Sequence, residues 1–291
     1  MINLAATTLI LLAAFCQGHF TAAGPNAYEW SNVTQAANFP KGYNYPVFVH
    51  GNWMVALNDG MWLSNDGERW IRTELPASGL NAAYQKYLSF NGAIYALGSM
   101  SGNYENFTID TTIRRTRDFR EWETVSKNTN LPKRIFYGTA VFEGKMWMFG
   151  GYDGKRYHND VWNSTDGIFW ERVTEHAAWS PRTISTIAVF QNNLWLFGGS
   201  VIDGDAVTHP NAPKQLWSSA NGKDWTLVKT NLDKKWGGTP VVYDNKLWLI
   251  GMNRGAAFAS AVWHSEDGAR WKEDAAPWSP RGAVAAWVYN D

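Results

Sequence analysis

Short apolar runs closed by glycine or by small polar residues recur along the chain, and nothing between them repeats at the helical period. The clearest are Met146-Trp-Met-Phe-Gly150-Gly151, Leu194-Trp-Leu-Phe-Gly198-Gly199 and Leu247-Trp-Leu-Ile-Gly251, with a weaker Ile94-Tyr-Ala-Leu-Gly98. Unbroken apolarity over so few residues suits a strand buried on both faces. Before each comes another run, such as Thr139-Ala-Val-Phe-Glu-Gly144, Ile187-Ala-Val-Phe-Gln-Asn192 or Pro240-Val-Val-Tyr-Asp-Asn245. The Glu-Gly, Asn-Asn and Asp-Asn pairs that follow these runs predict a first hairpin turn.

Downstream of each pair stands a polar phrase. It reads Ser64-Asn-Asp66-Gly67-Glu-Arg-Trp70, Ser164-Thr-Asp166-Gly167-Ile-Phe-Trp170, Ser219-Ala-Asn221-Gly222-Lys-Asp-Trp225 and Ser265-Glu-Asp267-Gly268-Ala-Arg-Trp271. Thr116-Arg-Asp118-Phe-Arg-Glu-Trp122 is a degenerate copy and Gly24-Pro-Asn26-Ala27-Tyr-Glu-Trp30 a fainter one. Glycine accepts positive φ and Asp or Asn bonds nearby backbone, so the phrase predicts a second hairpin. Trp62, Trp162, Trp217 and Trp263 lie two residues before each serine, which places one Trp on a third strand and another on a fourth. Successive closing Trp residues are separated by 40, 52, 48, 55 and 46 positions, a period of about 50. Four strands per repeat with local turns predict an all-β propeller of six blades. The Gly-Gly after strand two and the Trp of strands three and four resemble kelch repeats, as in the galactose oxidase propeller domain and the bacterial sialic acid mutarotases.

The last blade lacks strands. Ser279-Pro-Arg281 repeats Ser180-Pro-Arg182 and leads a first strand, after which the sequence ends at Asp291. Tyr28 to Val33 can supply its fourth strand. Residues 1–23 read as a signal peptide, from the apolar stretch around Ile10 to Phe15 and a cleavage site at Thr21-Ala-Ala23, leaving a propeller over 24–291 and a blade that is incomplete. Alternatively Leu9 to Ala14 forms strand two and Gly18 to Ala23 strand three, so that N- and C-terminal strands close the blade together. The signal reading implies a secreted or periplasmic chain. The apolar stretch is too short for a stable membrane span.

Charge adds little: 26 basic and 26 acidic side chains predict no nucleic-acid partner. Cys16 is the sole cysteine, so no internal disulfide forms. Tryptophan does change the picture, because 18 of them demand repeated large pockets. Three sequons, at Asn32, Asn106 and Asn163, decide nothing.

Counting back from the first hairpin gives Lys41, Ala82, Arg134, Arg182, Lys235 and Arg281 where the chain approaches each innermost strand. Trp179, Trp236 and Trp278 stand beside or just before three of these cations. Cations with aromatic platforms suit an acidic sugar or another carboxylate. The competing reading is structural, with these side chains bonding carbonyls and packing between blades. No histidine spacing or dense oxygen-ligand loop predicts a metal, and no cofactor is expected. The radical-copper chemistry that the galactose oxidase resemblance implies lacks its cysteine. The Arg-x-x-His pairing implied by the mutarotase resemblance is also absent, since Tyr137, Ser185 and Val284 follow Arg134, Arg182 and Arg281. The expected function is therefore non-catalytic binding of a glycan or a protein by a monomer, through the channel mouth and loops. A mutarotase-like isomerase and a structural module of a larger assembly are the alternatives.

Overall fold

The computed structural model describes residues 8–12, 28, 30–34, 37–38 and 46–289, apart from 75–79, 81–83, 103–105, 128, 184–185, 200–214, 233–237, 252, 255–256, 259–260, 277 and 281–284. The fold is all-β, a β-propeller of four-stranded antiparallel blades, with no helix among the described residues. No described helix is long and apolar enough to cross a membrane.

The first strand, β1 (Thr8–Leu12), stands apart from the blades. The first blade comprises β2 (Val47–His50), β3 (Trp53–Leu57), β4 (Met61–Ser64) and β5 (Ile71–Thr73). The second comprises β6 (Lys86–Phe90), β7 (Ala93–Gly102), β8 (Phe107–Thr116) and β9 (Glu123–Ser126). The third comprises β10 (Gly138–Phe142), β11 (Lys145–Tyr152), β12 (Tyr157–Ser164) and β13 (Glu171–Thr174). The fourth comprises β14 (Ile187–Phe190), β15 (Asn193–Phe197), β16 (Leu216–Ser219) and β17 (Thr226–Val228). The fifth comprises β18 (Thr239–Tyr243), β19 (Lys246–Ile250), β22 (Ala261–Ser265) and β23 (Lys272–Ala275), interrupted by a small hairpin of β20 (Asn253–Arg254) and β21 (Ala257–Phe258). The last strand is β24 (Ala285–Tyr289).

The expected count of six blades is corrected to five four-stranded blades among the described residues. In place of the sixth there is a two-stranded sheet, β1 against β24, with Leu9 opposite Val288 and Ile10 opposite Trp287. The physical reason is the pairing itself: β24 is bonded to β1, from far earlier in the sequence, instead of to a strand joined to it by a short hairpin. Gly18 to Ala23, one reading's third strand, lies outside the described residues. Tyr28 and Trp30 add side chains rather than a ladder strand.

The polar phrase works as a small hydrogen-bonded knot. In its third-blade copy Ser164 Oγ accepts from the Gly167 N–H at 2.8 Å. Asp166 Oδ1 accepts from the Ile168 and Phe169 N–H groups at 2.7 and 3.0 Å. Trp170 Nε1 then donates to the Gly167 carbonyl at 3.2 Å. The same bonds recur at Ser64–Trp70 and Ser219–Trp225. The closing Trp ends the turn immediately before the fourth strand rather than lying within it, a one-residue correction to the expected placement. The first hairpins also differ by one residue in the fourth blade, where Gln191 and Asn192 take positive φ and Asn193 already begins β15.

These turns set an acid limit. Asp66, Asp118 and Asp267 are held below the usual carboxylate range, chiefly by the N–H three residues on, at Arg69, Glu121 and Arg270. Asp166 follows, burial pushing it up and the Ile168 and Phe169 N–H groups pulling it further down. An unfolded aspartate titrates near ~3.9, so below about pH 5 the unfolded chain binds more protons than the folded one. Stability is therefore full above that window and drains as pH falls through the depressed values. Urea midpoints at pH 6 and pH 3 should differ, with pH 3 the lower; equal midpoints would refute the account.

The chain divides into two compact units, Leu75–Asp233 and Met1–Glu74 with Lys234–Asp291. Within the first, Tyr95 and Leu97 of the second blade pack on Met146, Met148 and Trp170 of the third. Phe142, Trp147 and Phe149 of the third pack likewise on Leu194, Leu196, Trp217 and Trp225 of the fourth. Within the other unit, Trp287 and Tyr289 of β24 meet Met54, Trp62 and Trp70 of the first blade. On the fifth-blade side Trp30 meets Trp278 edge-on at 5.0 Å and 82°. That is the role of Trp225 against Trp179, at 6.0 Å and 86°. Trp30 thus fills the closing-Trp position for β24, as the faint repeat at its place predicts.

Candidate functional site

In an antiparallel blade the start of the innermost strand and the hairpin between strands two and three lie at the same end. Arg134 and Arg182 approach their blades there, and both are buried, at 7% and 0% exposure. Arg134 makes a bidentate ion pair with Asp160, Nη1 to Oδ1 and Nη2 to Oδ2 at 2.7 Å, and Nη1 also reaches the Gly150 carbonyl at 3.2 Å. Burial pushes the Asp160 carboxyl up, but donation from Arg134 and Trp162 outweighs it and holds the pKa low. Arg182 makes the same approach without an acid among the described residues. It donates to the Ser180 carbonyl, Ser180 Oγ, the Gly198 carbonyl and Gln215 Oε1 at 2.7 to 3.0 Å. Desolvation lowers its pKa to about 10.

Trp179 is wholly buried in the cluster between third and fourth blades, and Trp278 is buried against Trp30. Lys41, Lys235, Arg281 and Trp236 lie outside the described residues. Of the expected anion site, then, the four side chains that are described are sheltered from solvent, and the two arginines bond within their own blades.

A different set of side chains occupies the same end of the Leu75–Asp233 unit. Tyr84 and Phe136 each stand two residues before an innermost strand and take left-handed backbone, φ +58° and +57°. Bulky residues rarely adopt that region, and such strain concentrates at functional sites. Their rings meet edge-on at 4.4 Å, and both are half-buried. Ile135, beside Phe136, exchanges two backbone hydrogen bonds of 2.9 Å with Tyr152 at the end of β11. Tyr152 lies 4.9 Å from Tyr157 across the hairpin. These four rings, the pairs Tyr84–Phe136 and Tyr152–Tyr157 linked through the Ile135–Tyr152 backbone bridge, make up an aromatic strip at this end.

Polar groups edge this strip. Asp153 Oδ1 accepts from the Lys155 and Arg156 N–H groups, and its Oδ2 lies 2.7 Å from His158 Nε2. Burial pushes Asp153 up, and these bonds more than offset it. The hairpin tip leans on its neighbour, since a Cβ on Gly154 would come within 3.3 Å of the Phe107 ring.

Lys86 opens β6, two residues after Tyr84. Its side chain is half-buried, desolvation lowers its pKa, and no described residue accepts from its ammonium. The heads of the other described innermost strands are uncharged: Val47, Gly138, Ile187 and Thr239. Sequence counting missed Lys86 because the repeat position in that blade is Ala82, four residues earlier. No group of three or more His, Cys, Asp or Glu residues suited to a metal occurs among the described residues.

No protein-family model and no curated protein matches the chain.

Proposed function

We propose that this chain is a kelch-type recognition propeller that binds a glycan, without covalent chemistry, on the strip Tyr84, Phe136, Tyr152 and Tyr157. The observation that carries the reading is the Tyr84–Phe136 pair: two half-buried rings held at strained backbone at one end of adjacent blades. Rigid aromatic faces bind sugar C–H surfaces with little entropy to lose, and nearby Asp153 and His158 supply directional hydrogen bonds. The kelch assignment draws on the Gly-Gly pairs. A Cβ on Gly151 would lie 2.8 Å from the Ile135 carbonyl and one on Gly199 2.4 Å from that of Thr183, so each pair lets the lead-in segment of its own blade pass close by.

The test is proton NMR of mono- and oligosaccharides with the full chain. Saturable line broadening is expected, weakened about tenfold or more in Tyr84→Ala and Phe136→Ala, as for an aromatic hot spot. Broadening unchanged in both variants, with folding intact by circular dichroism, would move the site. Faster anomer exchange would replace the non-catalytic reading with an isomerase.

A further inference from the structure

Lys86 departs from the repeat in a way that the binding strip alone leaves unexplained. Arg134 is neutralised by Asp160, and Arg182 satisfies its guanidinium on neutral acceptors of its own blade. Lys86 has neither: it is the one charged residue heading a described innermost strand, and its three donors have no acceptor among the described residues. A half-buried ammonium that no described neighbouring group accepts from has its donors open to a ligand, and an oxyanion would supply both the acceptors and the opposite charge. The lysine also stands two residues after the strained Tyr84, at the end of the blade where the aromatic strip begins.

Building on that glycan reading, we infer that Lys86 recognises a singly charged oxyanion, a carboxylate or a sulfate ester, carried by the bound sugar. One ammonium balances one negative charge. A phosphate ester carries about −1.5 to −2 at neutral pH and would leave uncompensated charge in a half-buried place. An uncharged sugar would leave the ammonium unpaired.

The direct probe is NMR of the full chain with its lysines reductively methylated by 13C-formaldehyde, which keeps their charge. The Lys86 signal, assigned by its absence in Lys86→Met, should shift saturably with glucuronic acid or glucose 6-sulfate and stay still with glucose. Whichever of the two acids gives the larger shift identifies the oxyanion. A Lys86 signal unmoved by either acid overturns the inference, even where glucose broadens on the strip. An equal response to glucose 6-phosphate overturns the single-charge specificity.

Affinity gives the second readout. Lys86→Met should weaken the preferred acid about tenfold while sparing glucose, and Lys86→Arg should restore most of that loss. Equal loss for acid and neutral sugar would make Lys86 structural and overturn the inference. A Lys86 response that survives Tyr84→Ala and Phe136→Ala would uphold the oxyanion site while sinking the aromatic strip, so the two readings fail separately.

Discussion

Asp160→Ala is expected to lower the unfolding free energy by about 3–5 kcal/mol, because it strands a buried guanidinium. Asp160 and Arg134 are 6% and 7% exposed, too little for water to take the place of the lost carboxylate. The change also removes the acceptor of Trp162 Nε1, now 2.8 Å from Asp160 Oδ2. The neighbouring blade suggests the remedy. There Gln215 Oε1 accepts from both Arg182 and Trp217, at 2.9 and 3.2 Å, and the arginine is buried more completely still. Asp160→Gln should therefore cost much less than Asp160→Ala. A paired Arg134→Met, Asp160→Leu variant should return close to the parent, since an apolar pair of similar volume removes the desolvation problem altogether. Urea denaturation of the four proteins decides it. If Asp160→Ala unfolds at the parent midpoint, the ion pair has no structural role.

Gly222→Ala should destabilise by about 2–5 kcal/mol, for two separable reasons. Its φ of +72° costs an L-residue about 1–2 kcal/mol. Its Cβ would then stand 2.2 and 2.7 Å from Cζ3 and Cη2 of Trp147, and overpacking of that kind costs about 1–3 kcal/mol. Trp147 has little room to yield: it is buried, its Nε1 bonds the Phe142 carbonyl at 2.8 Å, and its ring lies parallel to Phe149. Gly144→Ala is the control. Its φ is +67°, but nothing lies within 4 Å of the new methyl, so only the backbone penalty remains. Matching losses in the two variants would show that the turn of the fourth blade does not press on the third.

The blades were legible because their determinants are local and repeated. Ser164, Asp166, Gly167 and Trp170 bond one another within seven residues, so their spacing carries the geometry. Apolar runs such as Leu194–Phe197 are buried on both faces, and the unbroken apolarity records that directly. The blade count was less legible, since pairing of β1 with β24 depends on residues at opposite ends of the sequence. The site was hardest. Counting by repeat finds residues that every blade shares, and shared residues such as Arg134 and Arg182 do shared structural work. Lys86 escapes that count because it is a cation four places out of register, and Tyr84 and Phe136, though they share a repeat position, owe their interest to a positive φ that the residue types do not announce.

Pairing the two ends also fixes an order of events during synthesis. Val288 leaves the ribosome 279 residues after Leu9, yet the two are partners in one ladder. At translation rates of about 5–20 residues per second, β1 waits roughly 15–60 s for β24 to exist. The three blades of Leu75–Asp233 need no such delay, as each is contiguous in sequence and can form as it emerges. Until β24 emerges, Thr-Leu-Ile-Leu-Leu is an apolar strand without its mate, which makes it a natural foothold for a chaperone that guards unfinished chains.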